Sequence, residues 1–155
     1  LNLDLAALQI ALARGIAIKA EIVAQDPRES GVRAHLNYGH TLAHALESAS
    51  DYRLAHGEAV AVGIAYAVEL AVANGLVDSQ LKERTLALLA SYGLPIRLGR
   101  EYQAEALYQT MLYDKKANNK QIRLVLPTSI NTVDLFSGLD ETLLLATISK
   151  IQEQE

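Results

Sequence analysis

The stretch LNYGHTLAHALE, residues 36–47, places His40 and His44 four positions apart. The chain has four histidines, and all of them, His35, His40, His44 and His56, lie between positions 35 and 56. On a helix, a spacing of four sets two side chains on one face about one turn apart, so both imidazoles can reach one site. Imidazole is a common nitrogen ligand of Zn²⁺ and a proton relay near neutral pH. The zinc-peptidase motif His-Glu-x-x-His has the same spacing, but Thr41 follows His40, so the general-base glutamate of that chemistry is missing. His56 follows a short Ser50-Asp51-Tyr52-Arg53 turn at the start of the next helical pattern, where an antiparallel helix pair returns it towards His40. Two neutral imidazoles and one oxygen ligand would leave a position on Zn²⁺ open for substrate or water. His35 has no such context and reads as a solvent or interface residue.

Polar and cationic groups gather beside this pair. Arg33 and Asn37 precede it, and Gly39 falls inside the helix predicted there. A glycine in a helix interior costs about 1 kcal/mol relative to alanine, which points to a close approach, by a ligand or by a packed backbone. Arg33 can hold an anion or pair with Asp26 or Glu29. Lys19, in the apolar run Ile16-Ala17-Ile18-Lys19-Ala20, can reach an anion or snorkel to water, and the sequence alone favours snorkelling. Lys115 and Lys116 close a helical segment, where positive charge is favourable without any function.

The elements that must position these residues are mostly helical. Apolar spacing predicts a helix over 1–24 with Asn2 or Asp4 as N-cap, ended by Gln25-Asp26-Pro27, and a second over 33–48. A third runs from His56 to Asn74-Gly75 and carries two stripes at spacing four: Ala59, Gly63, Ala67 and Ala71 beside Val60, Ile64, Val68 and Val72. Small residues in a row admit a neighbouring backbone, so this is a central packed helix. Helices follow over 79–92 and 104–113, then strands over 122–126 and 132–136 as a small hairpin, then a helix from the Asp140-Glu141 cap to about 152. The fold class is mainly α, a multihelical domain with a small β hairpin, occupying 1–155 as one domain.

Composition narrows the partners. Half the residues are apolar and 21% are charged, with a net charge of -4 and no basic run to track a phosphate backbone, so no nucleic-acid partner is expected. With no cysteine, neither a disulfide framework nor a thiolate metal site can form, and a cytoplasmic location fits. The longest apolar run, 59–73, contains Glu69 and falls short of the roughly 20 residues of a membrane span, and no signal-peptide pattern opens the chain. The opening Leu1, with no initiator Met, suggests an excised domain or a processed product.

Taken together, IKAEIVAQDPRESGVRAHLNYGHTLAHALE, HGEAVAVGIAYAVELA, MLYDKK and IRLVLP resemble, in order and over nearly the whole chain, the C-terminal domain of the 3-dehydroquinate synthase family. The specific core is Arg-x3-Asn-x-Gly-His-x3-His followed by His-Gly-Glu. The resemblance implies the C-terminal, mostly helical half of a two-domain enzyme whose missing N-terminal domain binds NAD, with the active site in the cleft between them. It implies that His40 and His56 bind Zn²⁺ (or Co²⁺) and that Lys19, Arg33 and Asn37 hold the carboxylate and hydroxyls of a phosphorylated sugar acid. His44 matches the histidine of proton transfer, and Lys115 or Lys116 matches a late substrate lysine, with the choice between the two open. The implied reaction converts 3-deoxy-D-arabino-heptulosonate 7-phosphate to 3-dehydroquinate and phosphate.

Three departures qualify the resemblance. The family's third zinc ligand, a glutamate from an earlier stretch, has no equivalent here, and neither Gly31 nor Gly57 belongs to a nucleotide-binding Gly-x-Gly-x-x-Gly run. The isolated chain is therefore expected to be inactive. Ala43 stands where the family usually has glycine. Another sugar-phosphate cyclase, or an inert helical interaction domain, are the competing readings. The retained Arg33, Asn37 and Lys19 favour a carboxylate-bearing substrate. A homodimer is left open.

Overall fold

Asp4 accepts from the backbone N–H groups of Ala6 and Ala7 and so starts helix α1, Leu5–Gln25. In the computed structural model, residues 4–116 and 121–152 are described, with side chains described to residue 113 in the first stretch. The chain divides into two compact units, Leu1–Asn37 and Tyr38–Glu155. In the first unit, α1 is followed by a charged loop and a 3-10 segment, Val32–Asn37. The apolar residues that make α1 legible in the sequence are not core residues: none is buried, and Leu5, Ile10, Leu12, Ile16 and Ile18 are exposed.

The second unit contains α2 (His40–Ala49), α3 (His56–Ala73), α4 (Ser79–Ser91), α5 (Ala104–Lys116), the strands β1 (Arg123–Ser129) and β2 (Thr132–Ser137), and α6 (Glu141–Lys150). The strands pair antiparallel, Leu124 opposite Phe136 and Leu126 opposite Asp134, with an irregularity between Pro127 and Ser129. The mainly helical fold with one small hairpin is as the apolar periodicities predict. Both α4 and α6 open on an aspartate N-cap, Asp78 and Asp140.

One predicted element is corrected. The helix expected over 33–48 is two pieces, because Gly39 takes the left-handed conformation at φ 78° and acts as the N-cap of α2. Its neighbours explain why only glycine serves. A Cβ on Gly39 would lie 2.8 Å from Ile64 Cγ1 and 2.9 Å from the Ile64 backbone nitrogen, and a Cβ on Gly63 would overlap the Gly39 carbonyl oxygen. The close approach is therefore backbone on backbone, and Gly39 is not a helix-interior glycine.

Helix α3 is the centre of this unit, packed against α2, α4, α6 and β1. Its small stripe Ala59, Gly63, Ala67, Ala71 is buried, while Val60, Ile64 and Val72 on the branched stripe are only half-buried. A third row, Val62, Tyr66 and Leu70, joins the core cluster with Leu42, Leu46, Leu107, Leu126, Leu144 and Ile148. By length and composition α3 could cross a membrane, but 61% of it is buried inside this fold, as befits a core helix. Its buried carboxylate, Glu69, pairs with Lys82 of α4 at 3.2 Å and with Lys150 of α6. Burial pushes that carboxyl up, and the ammonium groups of Lys150 and Lys82 more than offset it, leaving it below its ordinary value.

The glycine contact yields a test. Gly63→Ala should destabilise the protein by about 1 to 3 kcal/mol, because the added methyl meets a backbone that cannot yield. Gly57→Ala, whose methyl meets nothing within 4 Å, should be neutral or stabilising by up to about 1 kcal/mol. Urea denaturation of both variants checks the contrast.

Candidate functional site

His40 is the first residue of α2 and His56 the first residue of α3. They meet because the connection between the helices turns back sharply. Asp51 and Tyr52 both take positive φ, 50° and 58°, and the buried Ser50 ties the turn together. Its Oγ accepts from the Leu54 N–H at 3.3 Å, and its carbonyl accepts from Arg53 Nε at 3.0 Å. The Tyr52 N–H donates to the Glu47 carbonyl at 2.8 Å. At the other end of α2, Thr41 Oγ1 donates to the Arg123 carbonyl of β1 at 2.9 Å.

The result is a cluster of three imidazoles. The rings of His40 and His56 have centroids 5.3 Å apart, and those of His40 and His44 are 5.7 Å apart, both edge to face. His40 is half-buried, and His44 and His56 are exposed. The hydrogen bonds at the rings assign their tautomers. His40 Nδ1 lies 3.0 Å from the Tyr38 carbonyl oxygen, which can only accept, so Nδ1 carries the hydrogen. His56 Nδ1 lies 2.9 Å from Glu47 Oε1. When a ring so bonded is neutral, its Nε2 lone pair is the one left for a ligand. This donor chemistry suits a Zn²⁺-like ion, whose histidine ligands commonly donate their second N–H to a carbonyl or carboxylate. The set is incomplete, for among the described residues no three His, Asp or Glu side chains are grouped to hold one metal ion.

Lys19, Arg33, His35 and Asn37 fall in the first unit. The buried Asp26 organises the loop after α1: its Oδ1 accepts from the Ser30 N–H at 3.0 Å and its Oδ2 from the Gly31 and Arg33 N–H groups at 2.7 and 3.1 Å. The Ser30 N–H is the largest influence on its carboxyl, burial opposes it, and the amides of Gly31 and Arg33 add to it, so the carboxyl sits below its ordinary value. Of the two partners weighed for Arg33, Asp26 takes its backbone N–H instead, and the guanidinium donates from Nη1 to the Pro27 carbonyl at 2.9 Å. Glu29 accepts from Asn37 Nδ2 at 2.7 Å. Lys19 is exposed on α1, and His35 is half-buried in the 3-10 segment. The side chains of Lys115 and Lys116 lie outside the described residues.

The residue that sequence reasoning missed is Glu47. It stands seven positions after His40 and three after His44, on the same helix face, so its spacing was a readable signal.

The chain resembles known proteins in sequence and in fold. Residues 1–117 match the family profile described as 3-dehydroquinate synthase C-terminal. A 3-dehydroquinate synthase from Desulforamulus reducens is 42% identical over 151 residues, covering 97% of this chain and 42% of that protein. One from a Synechococcus species is 44% identical over 129 residues, covering 83% of this chain and 35% of that protein. The chain thus spans about two fifths of the length of these relatives. Among solved structures, 2-epi-5-epi-valiolone synthase from Streptomyces hygroscopicus subsp. jinggangensis, with NAD⁺ and Zn²⁺ bound, superposes with a TM-score of 0.82 at 20% identity, over 96% of this chain and 41% of that one. A 2-deoxy-scyllo-inosose synthase complexed with carbaglucose-6-phosphate, NAD⁺ and Co²⁺ gives 0.77 at 23% identity, over 87% and 38%.

The Asp26 loop should respond to acid in a defined direction. Because the folded carboxyl is held below its ordinary value of 3.8, its contribution is fully present above that pH and is lost as pH falls through the depressed value. Hydrogen exchange at the Ser30, Gly31 and Arg33 amides should accelerate there. Asp26→Asn should show faster exchange, by roughly tenfold, already at neutral pH.

Proposed function

The chain belongs to the 3-dehydroquinate synthase family, and from that premise we propose that it is the metal- and substrate-binding portion of a 3-dehydroquinate synthase. The whole enzyme would convert 3-deoxy-D-arabino-heptulosonate 7-phosphate to 3-dehydroquinate and phosphate. NAD would be held by a portion of the enzyme preceding the matched C-terminal region. The observation that carries this reading is the meeting of His40, His44 and His56 at the adjoining ends of α2 and α3, with the Nδ1 atoms of His40 and His56 already engaged.

In this proposal His40 and His56 hold the divalent metal through Nε2. When bound, such an ion supplies Lewis acidity at a reacting hydroxyl. His44, exposed beside the pair, takes or returns a proton at that oxygen. Arg33 grips the substrate carboxylate. Its guanidinium has five N–H donors, and the bond from Nη1 to Pro27 fixes its plane while leaving donors for a bidentate pair. Asn37 and Lys19 are assigned to the hydroxyls and the remaining anionic charge, and one of Lys115 and Lys116 to the late lysine role. The retention of Arg33, Asn37 and Lys19 together favours a carboxylate-bearing substrate over those of the other sugar-phosphate cyclases.

Joined to the N-terminal portion of the Desulforamulus relative and supplied with NAD and Zn²⁺, the chain should release phosphate from the sugar acid. Alone it should turn nothing over and bind Zn²⁺ weakly by calorimetry, because two imidazoles leave the ion under-coordinated. In the joined enzyme, Arg33→Lys should lower kcat/KM by roughly tenfold to a hundredfold, about 1.5 to 3 kcal/mol, with zinc content unchanged, since an ammonium cannot reproduce the fork. His40→Ala should lower bound metal and activity together. Wild-type kinetics in Arg33→Lys would remove its substrate role.

A further inference from the structure

We propose that Glu47 is the positioning residue of the metal site: it selects the tautomer of His56 and aims its Nε2. The proposal rests on the reading of His40 and His56 as metal ligands and deepens it, since no matched motif assigns Glu47 a role.

The need for such a residue follows from where His56 stands. It is the first residue of α3, its side chain is 58% exposed, and the Glu47 carboxylate at 2.9 Å is its hydrogen-bonding partner. A ring this open would rotate freely and sample both tautomers. His40 needs no side chain for the same task, because the Tyr38 carbonyl, two residues before it, already holds its Nδ1 hydrogen. At the start of α3 the Glu47 carboxylate reaches over from α2 to do this work.

Glu47 is suited to it. Its side chain is only 16% exposed, so its carboxylate is far less screened than that of an ordinary surface ion pair. It sits in the last turn of α2, and the backbone carbonyl of the same residue accepts from Tyr52 in the turn that leads to His56. One residue thus braces both the connection and the ring at its end. An ionised carboxylate only accepts, so the hydrogen is placed on Nδ1 and the Nε2 lone pair is left for a ligand. Histidine ligands held in this way gain both orientation and basicity.

The test uses the chain with Glu47→Ala and Glu47→Gln, with His40→Ala and His56→Ala as references. Long-range ¹H–¹⁵N spectra at about pH 8, above the ordinary histidine value, read the tautomer of His56 with no metal present. Wild type should show the hydrogen on Nδ1, Glu47→Ala should shift it towards Nε2, and Glu47→Gln, whose amide oxygen still accepts, should keep it on Nδ1. Zinc affinity by competition with a chelating dye should fall roughly tenfold to a hundredfold in Glu47→Ala. Glu47→Gln should recover most of that loss, and the visible spectrum of added Co²⁺ should follow the same order. Glu47→Ala with wild-type tautomer and wild-type zinc affinity would overturn the proposal, as would Glu47→Gln binding no better than Glu47→Ala. If His40→Ala and His56→Ala bind zinc as wild type does, the underlying metal reading fails instead, and the two failures are distinct.

Discussion

The approach of two glycine backbones, Gly39 against Gly63, is the constraint on which the second unit depends. No side chain separates α2 from α3 there, so the helices lie as close as their main chains permit. Gly39 can occupy that contact only because it also adopts φ 78°, which a residue with a Cβ would adopt at a cost. The turn so produced ends the 3-10 segment and makes His40 the first residue of a new helix. Had the helix expected over 33–48 run straight through, His40 would lie in its interior and the Tyr38 carbonyl would belong to the helical ladder. The break frees that carbonyl to hold the His40 ring.

A second consequence concerns rigidity. The imidazoles project from the first and second turns of two helices whose separation is set by backbone contact and whose inner faces are buried in a common core. Side chains that act together need positions fixed to a fraction of an ångström, and helix ends on a packed core provide them. Among the described residues of this unit one charged group is buried, Glu69, which would be costly if unpaired. Lysines on α4 and α6 meet it from either side and tie both helices to α3. The buried carboxylate thus orders the elements around the central helix.

The sequence revealed much of this, and what it hid has physical causes. Apolar spacing located the helices of the second unit, and the aspartates Asp4 and Asp140 marked helix starts, because these signals are local. The small stripe of α3 announced a tight contact but not its partner, since the partner is a glycine distant in sequence. The break at Gly39 was illegible for that reason: local propensity reads through it, and only the Gly63 contact demands it. The face of α1 misled in the opposite sense. Its apolar pattern is strong, yet α1 buries none of its residues in this chain, and periodicity reports that a face is apolar without reporting what covers it. In the site, the histidine spacing was legible because i, i+4 on a helix is geometry. The pairing of Glu47 with His56 was not, because it crosses a turn whose two positive-φ residues, Asp51 and Tyr52, carry no glycine to signal them.

The two units hold their chemistry in different ways. In the second, side chains are positioned by packed helices. In the first, a single carboxylate gathers three backbone amides and shapes the loop that carries Glu29 and Arg33. Asp26 spends its charge on the main chain, so Arg33 keeps its own charge uncompensated by that carboxylate, and the guanidinium is steadied by a neutral carbonyl. Asn37, by contrast, is already engaged by Glu29. A ligand taking up Asn37 must compete with that carboxylate, whereas an anion meeting Arg33 adds to a bond already made. The loop is therefore better prepared for a carboxylate than for a neutral hydroxyl, an asymmetry that arises from where one buried aspartate directs its two oxygens.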